Sequence, residues 1–329
     1  MKNLFVVENL CYAYLKRPLC IREANFSANK NDRILILGLD DKGKTTLIKA
    51  ISAFDERYFG NVFYNGEELR KINPQDRLFS LIFDYSTLLN STIDANLNYL
   101  YETIGVQIPS ASEKNNLLAK FNLCYKLSDK VKVLTNFEKF KLCLLRVYIK
   151  KSRIVFIDDI LKNGFTQNEV DELMGYFELI SKDSILFFCA NEKSFKQNIN
   201  QIKIFTWSKV LYLNNTIVHE KQNLDEFTID PIDLDVISFS NEFECVDAYC
   251  INQDGEYFIS IDENIVIKIE KPLYANFDKL KLSNLETEDL ILAYKKGMEF
   301  DYSKNNDINN AINKKELLIF SKIDRSRIN

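Results

Sequence analysis

Short, dense apolar runs alternate with longer mixed stretches over about the first 230 residues of the chain. Four of them, residues 34–37 (ILIL), 81–83 (LIF), 154–157 (IVFI) and 185–188 (ILFF), have the length and composition of strands buried on both faces. Residues 91–151, between the second and third runs, are rich in Leu, Lys, Asn and Glu and predict mostly helix. Strands separated by helical stretches predict a layered α/β domain. The pattern changes near Asp230 and Pro231. Beyond them, residues 257–261 (YFISI) and 265–269 (IVIKI) are short alternating runs that predict a small β-rich domain. Residues 285–296 are expected to add one helix, and the Asn/Asp/Lys stretch 303–315 reads as a loop.

Composition narrows the function classes. Hydrophobic residues are 46% and charged residues 27% of the 329, the ordinary mixture for a globular protein with a real core. A net charge of −4 argues against a broad electrostatic grip on nucleic acid. Seven cysteines without a C-x-x-C pair read as reduced thiols in a cytosolic protein. The start runs directly into charged, strand-like sequence, which reads as no signal peptide, and no run of about 18 apolar residues predicts a membrane span. Nine glycines are roughly 3% of the chain against a usual share of about 7%, so a fold that relies on glycine loops must lack them somewhere. His219 is the single histidine, and it reads as a plain strand or surface residue.

One motif carries chemistry. Gly38-Leu39-Asp40-Asp41-Lys42-Gly43-Lys44-Thr45-Thr46 fits G-x-x-x-x-G-K-[ST], after a predicted strand and before a plausible helix at residues 47–51. Backbone N–H groups of such a loop, with the helix N-terminus, form a nest for phosphate oxygens. Lys44 would reach the β- and γ-phosphates, and the Thr45 hydroxyl would ligand Mg²⁺. Asp40 and Asp41 place two carboxylates beside a polyanion, which Mg²⁺, Lys42 and Lys44 would offset. Downstream, the run 154–157 ends in Asp158 and Asp159, and a carboxylate there can hold the Mg²⁺ shell. As a carboxylate pair for glycoside chemistry the two are unsuited, because neighbours on one strand point to opposite faces.

In that order the motifs resemble the nucleotide-binding subunit of an ABC transporter over residues 4–223. The resemblance implies a P-loop NTPase fold at residues 1–230, with a helical subdomain at about 88–151, and a β-rich regulatory or accessory domain at 231–329. It implies ATP and Mg²⁺ as ligands. Tyr14 aligns with the aromatic that stacks on adenine, with Tyr12 as the alternative. Gly38, Asp41, Gly43, Lys44, Thr45 and Thr46 would surround the phosphates, and Thr45 with Asp158 would hold the metal. Residues 62–66 resemble the hairpin after the first helix. Residues 73–77 (NPQDR), followed by 81–85, are most similar to the ATPases of carbohydrate importers, although the tail is shorter than theirs.

The departures bear on activity. The loop glutamine aligns with Asp84, the catalytic glutamate with Asp159 and the switch histidine with Asn191. The signature L-S-G-G-Q aligns with Leu134-Thr135-Asn136-Phe137-Glu138, and residues 160–165 replace P-x-S-x-L-D. Asp159 is one methylene short, which would displace the attacking water by roughly 1 Å, and misplacement on that scale costs about 100-fold. Asn191 cannot carry a proton, and Asp84 brings charge of the wrong sign. Phe137 is expected to obstruct phosphate approach to the signature helix, and Glu138 to repel it. Together these predict slow or absent hydrolysis. The partners implied are transmembrane permease subunits and a second, intact ATPase, at the cytoplasmic face of a membrane reached only through the permease. A coupling groove is expected near Asp84 and residues 85–100. The alternative is a non-catalytic regulatory or scaffold subunit.

Overall fold

The computed structural model describes residues 4–15, 17–39, 43–83, 87–214, 216–222 and 224, and beyond them the backbone of five strands. The chain forms two compact units, residues 1–224 and 225–329. In the first unit the strands are β1 (Phe5–Ala13), β2 (Leu19–Ala28), β3 (Arg33–Leu37), β4 (Tyr58–Tyr64), β5 (Glu67–Glu68), β6 (Phe79–Ile82), β7 (Ile154–Ile157), β8 (Ile185–Ala190), β9 (Lys209–Asn214) and β10 (Ile217–Lys221). The helices are α1 (Lys44–Ile51), α2 (Ile93–Thr103), α3 (Ala111–Lys120), α4 (Asn136–Lys150), α5 (Gln167–Ser181), α6 (Glu192–Gln197) and α7 (Ile199–Ile204).

All ten strands form one sheet in the order β5-β4-β1-β2-β10-β9-β3-β8-β7-β6. From β9 to β6 the neighbours are parallel, while β5, β4, β1 and β2 form an antiparallel limb. The limb curls back over the parallel part. Phe5 of β1 meets Phe79 of β6 and Phe156 of β7, each at 6.4 Å, although those strands lie at the opposite end of the order. Buried residues of α1, including Leu47, Ile48 and Ile51, fill the space enclosed. The predicted strand runs are β3, β6, β7 and β8, and β8 shows why they read as unbroken apolar stretches. Phe187 stacks on Phe156 at 4.9 Å, whereas its neighbour Phe188 faces Phe177 of α5 and Trp207.

One buried cation ties the loop after α1 to the turn before β6. Arg77 donates to the Ile72 and Ala53 carbonyls and to Glu56, each at 2.9 Å. Arg77→Ala would orphan two backbone oxygens and remove three charge-assisted bonds, so a loss of about 3 kcal/mol is expected. Urea unfolding measures it, and a loss under about 1 kcal/mol would show the staple to be idle.

The second unit contains β11 (Phe243–Gln253), β12 (Glu256–Ser260), β13 (Val266–Ile269), β14 (Thr287–Lys295) and β15 (Leu317–Ser321). They form an antiparallel sheet ordered β13-β12-β11-β14-β15. The helix expected at residues 285–296 is thus corrected to a strand. Leu290, Ile291 and Leu292 suit either conformation, and pairing of β14 with both β11 and β15 decides the outcome. Residues 303–315 lie outside the described residues.

Candidate functional site

The site begins where β3 ends. A Cβ at Gly38 would lie 2.9 Å from the Leu213 carbonyl oxygen of β9, so only bare backbone fits there. Gly43 has φ +93 at the N-cap of α1, where glycine takes the left-handed turn without strain. The first turn of α1 then presents Lys44, Thr45 and Thr46 in succession. Asp40, Asp41 and Lys42 lie outside the described residues, as does Asp84.

Each of those three side chains has a partner within the protein. The Lys44 ammonium, 7% exposed, donates to the Gly38 and Leu39 carbonyls at 2.8 and 2.6 Å. Thr45 Oγ1 donates to Asp158 Oδ2 at 2.6 Å, joining α1 to the end of β7. Tyr14 and Thr46 share a hydroxyl–hydroxyl bond of 2.8 Å.

Asp158 and Asp159 are both buried, and the Oδ1 atom of each has no hydrogen-bond partner among the described residues. They follow β7 rather than lying in it, so strand alternation does not separate them as the sequence had implied. Burial pushes the Asp159 carboxyl above its ordinary value and the Asp158 charge adds to this, while Ser194 and Lys44 act the other way. Two buried, orphaned carboxylate oxygens beside a threonine hydroxyl form the hard oxygen donor set that Mg²⁺ accepts. The residues present therefore fit that ion, and the Lys44 cation fits an anion next to it.

The structure separates the two tyrosines. Tyr12 is 1% exposed and gives its phenol to Asp55 Oδ2, and burial with that bond pushes its pKa up to about 12. Tyr14, just past the end of β1, is 39% exposed at the mouth of the site. Its ring meets Tyr12 edge-on at 5.1 Å. Of the pair, Tyr14 alone offers a face to a ligand.

The expectation for Phe137 is corrected. Its ring is 4% exposed and packs on Phe165 at 5.1 Å, with the Lys141 ammonium 5.3 Å from its centre. It turns into the protein and obstructs nothing in front of α4. What closes the helix end is a capping box that sequence reasoning overlooked, although Thr135-x-x-Glu138 spells it out. Thr135 Oγ1 accepts the Glu138 N–H at 3.2 Å, and Glu138 Oε2 accepts the Thr135 N–H and the Tyr125 phenol, each at 2.8 Å. An N–H otherwise free for an anion is occupied, and a carboxylate sits at the positive end of the helix.

Asn191 is placed likewise. It is the N-cap of α6, and its side-chain oxygen accepts the Ser194 N–H at 2.7 Å. His219 lies on β10 opposite Tyr212, its ring 6.5 Å from that of the tyrosine, and burial lowers its pKa. Among the described residues no group of His, Cys, Asp and Glu forms a further metal cluster, and no helix is long and apolar enough to cross a membrane.

Comparisons with known proteins agree with this geometry. A family model described as ABC transporter matches residues 21–162. A putative export ATP-binding/permease protein of Rickettsia typhi is 23% identical over 216 residues, covering 62% of this chain and 37% of that protein. The molybdate/tungstate import ATP-binding protein WtpC of Thermococcus kodakarensis is 24% identical over 162 residues, covering 49% of this chain and 48% of that protein. The chain thus spans less than half the length of either relative. Among solved structures, cbiO1 from Clostridium perfringens, part of the ABC transporter complex cbiONQ, superposes with a TM-score of 0.56 at 14% identity, over 68% of this chain and 89% of that one.

Proposed function

Because the chain carries an ABC transporter ATP-binding domain with the P-loop NTPase fold, we propose that it is the ATP-binding subunit of an ABC transporter, held by transmembrane permease subunits at the cytoplasmic face of a membrane. The observation that carries the reading is the meeting of Lys44, Thr45 and Asp158 at the end of the parallel strands. ATP would bind with its phosphates at Lys44 and the first turn of α1. Mg²⁺, held by Thr45 and Asp158, would neutralise phosphate charge when bound. Asp159, with an unpartnered buried oxygen, is the group to accept a proton from water.

Turnover is slow in this reading. Asp159 is short for its task, and Asn191 spends its side-chain oxygen on capping α6. The closed N-terminus of α4 would serve a facing nucleotide poorly, which supports pairing with an intact ATPase subunit rather than with a second copy. Support for a carbohydrate-type import substrate is confined to residues 73–77 and 81–85, and the relatives named above carry export and molybdate/tungstate import in their names.

The capping box also favours a second reading, a regulatory or scaffold subunit without turnover. Calorimetry with millimolar ATP and Mg²⁺ tests what the two share, and absence of binding would remove both. Hydrolysis then separates them, with Lys44→Ala as the control. Phosphate release that disappears in Lys44→Ala supports the slow ATPase, and release that survives it is contamination.

A further inference from the structure

Of the three side chains at the start of α1, Lys44 bonds to its own loop and Thr45 bonds to the neighbouring strand end. Thr46 is different. It is 6% exposed, and its hydroxyl meets a residue 32 positions away that belongs to the surface of the antiparallel limb. Tyr14 crosses the mouth of the site to make that bond, while its ring remains 39% exposed. Tyr12 braces the ring edge-on, and Tyr12 is itself fixed through Asp55, which also holds Arg57. The crossing is thus backed by a chain of bonds rather than by one loose side chain.

We propose that the Tyr14–Thr46 bond is a latch across the empty phosphate loop and that it makes Tyr14 a specificity-determining residue. The inference rests on the nucleotide-binding reading above. A ligand whose phosphate takes the Thr46 hydroxyl has to displace the Tyr14 phenol, so every phosphate ligand meets the same penalty. A ligand with a planar base recovers it, because the freed tyrosine ring gives the base a face to stack on. A bare polyphosphate recovers nothing. One residue thereby discriminates between a nucleoside triphosphate and an inorganic polyphosphate of equal charge, with no contact to the edge of the base.

The test compares the full chain with Tyr14→Phe and Tyr14→Ala, each titrated calorimetrically with ATP–Mg²⁺ and with tripolyphosphate–Mg²⁺. Tyr14→Phe keeps the ring and removes the latch, so it should tighten both ligands by the same factor, about 2- to 12-fold, the span of one hydrogen bond. Tyr14→Ala should tighten tripolyphosphate equally while weakening ATP relative to Tyr14→Phe. Unchanged affinity for both ligands in Tyr14→Phe would overturn the latch and leave the nucleotide site standing. Tightening of ATP alone would overturn it too, since the effect would then lie with the base. Failure of all three proteins to bind either ligand would instead overturn the nucleotide reading, and the latch with it.

Discussion

Gly60→Ala is expected to destabilise the first unit by about 3–5 kcal/mol, combining the cost of a left-handed alanine with that of overpacking. Gly60 lies in β4 with φ +87, opposite a place where β1 carries an extra residue. There Glu8 pairs with Asn61 and Cys11 with Phe59, so Asn9 and Leu10 together face Gly60. A methyl group at Gly60 would sit 2.7 Å from the Glu8 carbonyl oxygen and would overlap the Asn9 carbonyl. Neither group can retreat, because the same stretch of β1 is held from its other side. Asn9 donates its N–H to Asn25 Oδ1 at 2.9 Å, and Asn25 in turn donates to the Glu23 carbonyl. The midpoint of urea unfolding measures the loss. A fall below about 1 kcal/mol would mean that the bulge can relax, contrary to the pinning described.

The parts of this protein that were legible in the sequence are those in which one local segment carries the whole signal. The phosphate loop is a strand, a turn with Gly38 and Gly43, and a helix, all within about 20 residues, and each part constrains the next. Asp158 was legible because a fully buried strand ending in acid is itself unusual. What failed depends on partners distant in the chain. Phe137 looked like a side chain projecting from a helix start, and nothing local says that Phe165 receives it. Tyr12 and Tyr14 share a parity on β1, so alternation gives both the same face. Their different exposure arises because the strand ends at Ala13 and Asp55 waits beside Tyr12. Residues 287–295 have no strong intrinsic preference, and two neighbouring strands made the choice. Arg77, quoted for its likeness to one subfamily, has a sufficient structural reason to be an arginine in the three bonds it makes. The Thr135–Glu138 box was missed for the opposite reason: the segment was read only as a damaged signature, and its own local meaning went unread.

Lys44→Ala and Asp158→Ala are expected to weaken ATP in ways that differ in their dependence on Mg²⁺. Lys44 supplies charge-assisted hydrogen bonds to phosphate, each worth about 1.5–3 kcal/mol, so its removal should reduce affinity about 100-fold with or without the metal. Asp158 acts through the cation. In Mg²⁺ its loss should reduce affinity by about 10-fold or more, down to the level seen in EDTA. In EDTA the sign reverses. The Asp158 carboxylate is buried beside Thr45 with one oxygen unpartnered, and without a metal it confronts the incoming phosphates as a like charge. Asp158→Ala should therefore bind metal-free ATP more tightly than the natural chain does. A misfolded variant would lose affinity under both conditions, so this crossing cannot be imitated by damage. Fluorescence titration of both variants in Mg²⁺ and in EDTA reads it directly. Parallel losses in Asp158→Ala under the two conditions would remove Asp158 from the metal site and leave it as the structural partner of Thr45.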